Sequence, residues 1–395
     1  MVRTMRAALW LLVAGCGRVG FDAASARGDV HDFTTGDASG LTFTRASTAT
    51  YVGADRALHI AANDEPRFDH DPVTGAAWGL LVETPAQNLV RASDDLADAD
   101  AWFSNGNTLV TPNAALAPDG TMTADEIDDE ETSVLSRRAQ FVGAEDDARW
   151  YAYSMFVHAG TSTRAAFEAE LLGGTDQVQS HVMFDLATGT IEEPSGIAER
   201  FGLVPYANGW WRVWIVLRNT ASGNDSGLIS AHGSSSEDLA RVGSVYAWGA
   251  QVEVGEAPTS YIPTAAFPLS RRAESAVLDE LLAAEQGTLR TRARVSFERA
   301  GLQPSACGDG SVCIGRFDGD AAVQIGVARA TGAAWPVGAV VTTTVTWDAT
   351  GTRLDGIATP LGVPGESAAL RLGGDGSAAL DGHVQEVFVA TDPAP

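Results

Sequence analysis

The stretch WWRVWIVLR, residues 210–218, sets Trp211, Val213, Ile215 and Leu217 on one side of an extended chain. Trp210, Arg212, Trp214 and Val216 fall on the other. Period-two alternation of aromatic and β-branched residues is the mark of a strand packed on at least one face. Working outward, the same pattern recurs in LTFTRAST (41–48), GLLVET (79–84), RWYAYSMFVHAG (149–160), AAFEAELL (165–172) and SVYAWGAQVEV (244–254). It resumes in TLRTRARVSFE (288–298), VVTTTVTWD (340–348) and GHVQEVFVA (382–390). Gly, Pro, Asn and Asp punctuate these runs, as in antiparallel β-sandwiches. The expected fold class is therefore all-β, with few short helices. One exception is AESAVLDELLAAEQ (273–286), where Val277, Leu278, Leu281 and Leu282 fall at helical spacing and predict a helix.

Three segments share a further feature. FDHDPVTG (68–75), FDLATGTI (184–191) and WDATGTRL (347–354) each place an aromatic residue and an aspartate ahead of a Thr-Gly pair. Such a sequence predicts a hairpin turn: the carboxylate accepts backbone N–H groups, and Gly75, Gly189 or Gly351 takes the left-handed conformation. Asp69, His70 and Asp71 also invite a metal reading. Neighbouring strand residues point to opposite faces, however, and seldom converge on one ion.

The first sixteen residues differ from the rest. A basic MVRTMR precedes the apolar AALWLLVAG, which is too short to span a bilayer, and LVAGC resembles a bacterial lipobox. That resemblance implies cleavage before Cys16 and lipidation of its thiol, giving an extracytoplasmic protein whose membrane contact is the lipid anchor alone. Residues 17–40 read as a flexible tether. The net charge is -25, and all 26 basic residues are arginine. Such a field repels nucleic acid and anionic lipid, so no nucleic-acid partner is expected. Cys307 and Cys313 flank GDGSV and, in an oxidising compartment, predict a local disulfide at a hairpin tip.

Longer matches carry a family likeness. FTRASTATYVGADRALHIAANDEPRFDHDPVTGAAWGLLVETPAQNLV (43–90), APDGTMTADEI (117–127), YANGWWRVWI (206–215) and VYAWGAQVEVGEAPTSYIPT (245–264) resemble the head-spike and tail-fibre proteins of bacteriophages and their bacterial relatives. The middle of this region also resembles a carbohydrate-binding-module jelly roll. LRLGGDGSAALDGHVQEVFVA (370–390) is similar to concanavalin A-like, laminin G-like domains, in which a glycine-led last strand closes the sandwich. After the signal peptide at 1–16 and the tether at 17–40, the resemblance implies a spike-like N-terminal β region at 41–90, a jelly roll at 91–268 and a concanavalin-like sandwich at 269–395. The proline-bearing TSYIPTAAFPLSRR (259–272) marks the last boundary. A lipobox in place of a virion-attachment segment favours a cell-surface role over a virion role.

The residues suggest non-catalytic binding of glycans or a cell-surface ligand. Trp210, Arg212, Trp214, Tyr246 and Trp248 are the candidate ligand-binding residues, since flat aromatic faces stack on sugar rings and a guanidinium donates paired hydrogen bonds. The alternative for the same residues is packing inside a sandwich. EIDDE (126–130) puts Glu126, Asp128 and Glu130 on one strand face, a spacing that resembles retaining β-glucanases. Asp129 stands where those enzymes are usually apolar, and a solvated acidic edge or a cation-binding loop is the competing reading. Histidines are dispersed, and no nucleophile elbow or phosphate-cradling loop is present. No cofactor is required. Concanavalin-like domains often hold structural calcium, for which Asp318, Asp320, Asp375 and Asp381 are the candidate ligands. A polysaccharide hydrolase and a purely structural adhesion lipoprotein remain the rival readings.

Overall fold

The computed structural model describes residues 28–134, 136–196, 198, 200–234, 241–309, 312–374 and 379–392. The expected signal, Cys16 and the tether as far as residue 27 lie outside these, as does Asp375. The chain is all-β: among the described residues the helical elements are two three-residue 3-10 turns, Phe33–Thr35 and Ala207–Gly209.

Trp211–Arg218 is a strand inside the first of two sandwiches. Its sheet runs Arg200–Pro205, Trp211–Arg218, Trp150–Ala159, Gly243–Val254, Ala124–Asp129 and Thr108–Ala115, all antiparallel. The facing sheet runs Thr190–Gly196, Val178–Asp185, Arg164–Leu172, Ser226–His232, Arg137–Gly143 and Phe103–Asn105. Val213, Ile215 and Leu217 point between the sheets and pack with Tyr153, Met155, Phe167, Val182 and Ile229. Alternate residues therefore fill one continuous core, and that burial holds the two layers together.

The second sandwich is assembled from both ends of the chain. One sheet runs Ile357–Ala358, Gly351–Leu354, Val340–Asp348, Gly287–Val295, Gly382–Ala390, Ala77–Val82 and Phe68–His70, with Gly28–Asp32 also paired to Gly382–Ala390. The other runs Leu41–Thr44, Ser275–Leu278, Leu370–Leu372, Leu302–Gly308, Val312–Phe317, Asp320–Ile325 and Ala328–Ala334. Trp335, Trp347, Leu80, Leu289 and Phe33 share its core. The segment 41–90 is thus divided between the sandwiches. Its hairpin Ala49–Val52/Leu58–Ala61 lies on the first sandwich, and its other long strands extend the second. Residues 28–40, expected as tether, are structured, because Gly28–Asp32 finds an edge to pair with and Phe33 finds a core to enter.

The helix expected over 273–286 is corrected. Ser275–Leu278 is a strand held between Leu41–Thr44 and Leu370–Leu372, and Leu282 makes an isolated bridge to Ser367. Ala276 and Leu278 are buried while Leu281 is half exposed, so period two governs here. Two waiting sheet edges outweigh a weak helical preference.

The three turns form as their residues require. Asp71 accepts the N–H groups of Val73 and Thr74, both at 2.8 Å, and Asp185 accepts those of Ala187 and Thr188. Asp348 accepts the Thr350 N–H at 2.7 Å. Gly75 and Gly189, at φ 73° and 69°, close the first two turns. Cys307 and Cys313 stand directly opposite on neighbouring strands and form the disulfide.

The chain crosses between sandwiches through a buried ionic knot. Arg67 donates to both carboxylate oxygens of Glu274 at 2.8 and 2.9 Å and to Glu83 at 2.8 Å. Arg45 reaches Glu274 at 3.1 Å, and Arg271 lies 3.2 Å from Glu83. Burial alone would raise the Glu83 carboxyl, but Arg271 and Arg67 overcome that and hold it well below the usual range.

Candidate functional site: a cleft between the sandwiches

The outer face of the Trp211–Arg218 sheet does not meet solvent as an open platform. The Ala49–Val52/Leu58–Ala61 hairpin roofs it: Val52 and Leu58 pack with Phe156, Trp210, Trp248 and Tyr261 in a third core. Where the roof ends and the second sandwich begins, a cleft is left, with about 150 Å³ reachable by the centre of a water-sized sphere. One water needs roughly 10–15 Å³ by that measure. The opening therefore has room for a small ligand moiety.

Each wall comes from a different part of the chain. Trp214, Arg212 and Tyr206 belong to the first sandwich, while Asp69 and Trp78, from strands near residues 68–82, and Arg294, Phe297 and His383, from the last third of the chain, belong to the second. Trp214 meets Phe297 edge-on at 6.2 Å between ring centroids. The Arg294 guanidinium lies 4.1 Å over the Trp78 ring, and His383 approaches Trp78 edge-on at 5.0 Å. Such contacts hold the aromatic walls rigid.

The polar groups are also fixed. His383 Nε2 stands 2.8 Å from Asp69 Oδ2, and Asp69 Oδ1 accepts the Val52 N–H at 2.6 Å. Burial pushes the imidazole pKa down, against the upward pull of Asp69. His383 Nδ1 and Arg212 Nε are buried and, among the described residues, have no hydrogen-bond partner. Arg212 donates to the Thr259 carbonyl at 2.8 Å and to Ser154 Oγ at 2.9 Å. Burial also raises the Tyr206 phenol and lowers the Arg294 guanidinium.

The residues singled out from the sequence separate on this map. Arg212 and Trp214 line the cleft. Trp210 and Trp248, each 3% exposed, are packing residues, with indole N–H groups given to the Leu116 carbonyl and Thr123 Oγ1. Tyr246 is half-buried, its ring 5.9 Å from His158. The roofing hairpin buries the face on which Trp210 and Trp248 lie, the packing alternative for these residues.

The other candidates also resolve. His70 turns Nδ1 to the Val52 carbonyl while Asp71 caps its turn, so Asp69, His70 and Asp71 diverge. Glu126 accepts Ser244 Oγ at 2.6 Å, and Asp128 is pushed up by burial and by Glu130 and Glu126. Of the candidate calcium ligands, Asp318, Asp320 and Asp381 are among the described residues, and these three are not grouped. Asp318 accepts the Gly301 N–H, Asp320 begins a strand, and Asp381 takes the Thr84 N–H at 2.9 Å and pairs with Arg299. Among the described residues, no three His, Cys, Asp or Glu side chains are grouped to hold a metal ion.

Sequence reasoning missed Trp78, Arg294, Phe297 and His383 as cleft residues, and nothing local marks them. It also missed a carboxylate pair, Glu168 and Glu170, alternate residues of Arg164–Leu172. Arg137 Nη1 donates to both, at 2.5 and 3.0 Å, and His232 Nε2 lies 3.3 Å from Glu168. Burial would raise both carboxyls. His232 and Arg137 reverse this at Glu168 and hold it low, while Glu170, beside that charge, stays raised.

No protein-family model matches the chain, and no curated protein matches it. Among solved structures, it is similar to the enzymatically active domain of tailspike protein 4 of bacteriophage CBA120, at 14% identity and a TM-score of 0.29. That match covers 42% of this chain and 21% of the tailspike chain. It is also similar to a protein of Bacteroides thetaiotaomicron described as a candidate sugar-binding protein, at 12% identity and a TM-score of 0.28. There the match covers 43% of this chain and 100% of the other.

Proposed function

We propose that this chain is a surface lipoprotein that binds glycans, without cleaving them, in the cleft between its sandwiches. The observation that carries the reading is the cleft itself: Trp214 offers an aromatic wall beside fixed donors and acceptors from Arg212, Asp69 and His383. Sugar rings present an apolar face and a rim of hydroxyls, and such a wall meets both. Lipidation at Cys16 would place the protein outside the cytoplasm, and the net charge of -25 disfavours nucleic acid as a partner.

A glycan array with the full chain carrying Cys16→Ser tests the binding. Retention of a glycan class that Trp214→Ala loses supports the cleft. No retention, or retention unaffected by Trp214→Ala, overturns it. Palmitate labelling of the wild type, absent in Cys16→Ser, tests the anchor.

A hydrolase reading has one observation in its favour. Glu168 and Glu170 share Arg137 Nη1 at 2.5 and 3.0 Å, and their surroundings hold one carboxyl low and the other raised, the division of roles that a base and an acid need. Release of reducing ends from a bound glycan, abolished by Glu168→Gln, would favour it over simple binding.

A further inference from the structure

Arg212 and Arg294 both line the cleft, and neither has a carboxylate within ion-pair distance among the described residues. The contrast lies nearby: Arg45, Arg67 and Arg271, buried as Arg212 is, are matched by Glu274 and Glu83, while Arg294 is half-buried at the cleft rim. Arg212, 6% exposed, meets the Thr259 carbonyl, the Ser154 hydroxyl, the Tyr206 phenol and the face of Phe156, 5.4 Å away, all of them uncharged groups. Among the described residues its Nε has no acceptor. Arg294 gives Nε to the Gly338 carbonyl at 3.0 Å, reaches Ser296 Oγ at 3.4 Å and otherwise lies on Trp78. Asp69 is the leading carboxylate in the field of Arg294, but its oxygens already serve the Val52 N–H and His383.

A cation withdrawn from water without a counter-charge is costly. In a chain with 51 acidic residues and 26 basic ones, carboxylates are abundant, yet none of the described ones forms an ion pair with these two guanidinium groups. Guanidinium forks match carboxylates with paired hydrogen bonds.

We propose that the cleft takes an acidic glycan, a sugar bearing a carboxylate that supplies the missing counter-charge at Arg212 and Arg294 while the ring lies against Trp214. This rests on the cleft being the glycan site. It adds the class of sugar.

The probes are uronate- and sialate-bearing oligosaccharides and the same compounds with the carboxyl reduced to an alcohol, titrated calorimetrically into the full Cys16→Ser chain. Hydrogen bonds to a charged partner predict that an acidic form binds roughly ten- to a hundredfold more tightly than its reduced form. The difference should shrink with added salt and in Arg294→Gln, which sits at the rim and spares the buried Arg212. Equal binding of both forms, lost in Trp214→Ala, overturns the acidic class and leaves the cleft standing. A preference for the acid that Arg294→Gln does not alter also overturns the assignment. If neither these sugars nor any neutral glycan binds, both the class and the cleft reading fail.

Discussion

Replacing Glu274 by glutamine perturbs the knot that joins the sandwiches. Its carboxylate accepts from Arg45 Nη1 at 3.1 Å, from Arg67 Nη2 at 2.8 and 2.9 Å, from Arg67 Nε at 3.1 Å and from the Glu83 N–H at 2.9 Å. The Arg45, Arg67 and Glu274 side chains are wholly buried. Glutamine keeps one acceptor oxygen but turns an amide toward the guanidinium donors and removes the charge. Breaking a buried ion pair at one partner costs about 3–5 kcal/mol, because the charge left behind is unmatched. For a unit of 150–250 residues this corresponds to a fall in Tm of about 6–20 °C. Differential scanning calorimetry of the full chain at pH 7 reads the effect, each transition fitted separately because two sandwiches need not melt as one. A companion variant, Arg45→Met with Glu274→Met, should lose less than the sum of its single replacements, since neither leaves the other stranded. A loss under about 1 kcal/mol in Glu274→Gln would refute the view that matched charge, rather than shape, fixes this junction.

Other outcomes follow from the same structure. Trp248→Ala should destabilise the first sandwich by about 3–5 kcal/mol in urea unfolding, as for a buried aromatic deletion, whereas Trp214→Ala, on a cleft wall, should cost clearly less; equal losses would contradict the packing described. The Glu83 carboxyl is held low in the folded state, so its stabilisation is present above the unfolded glutamate value near 4.3 and is lost as pH falls below it. Glu83→Gln should therefore be less stable than wild type at pH 7 but lose less between about pH 5 and 3, as followed by acid titration of near-ultraviolet circular dichroism. Parallel acid limbs would show that Glu83 does not carry this dependence.

The carboxylate pair tells how much of a site can be read from spacing. EIDDE and FEAEL both set acids two apart on a strand, and period two places each set on one face. What separates them is their cross-strand company. Glu168 pairs across to Ser230 and His181, with Arg137 two strands away, while Glu126 meets Tyr246 and Thr111. Register between strands distant in sequence decides which carboxylate gains a cation, and a single strand does not encode its register.

Alternation in WWRVWIVLR is enough to specify a strand, and the Asp and Gly of three turns are enough to specify where the chain reverses, because both depend on interactions within a few residues. The pairing of Cys307 with Cys313 is local in the same way. Which tryptophan faces are covered is not local. A hairpin formed by residues 49–61 buries Trp210 and Trp248, and only its edge leaves Trp214 at an opening. The cleft joins Asp69 to His383 across 314 positions. Such a site exists only once both chain ends have entered one sandwich, since burial and electrostatic environment belong to the packed layers and not to any segment.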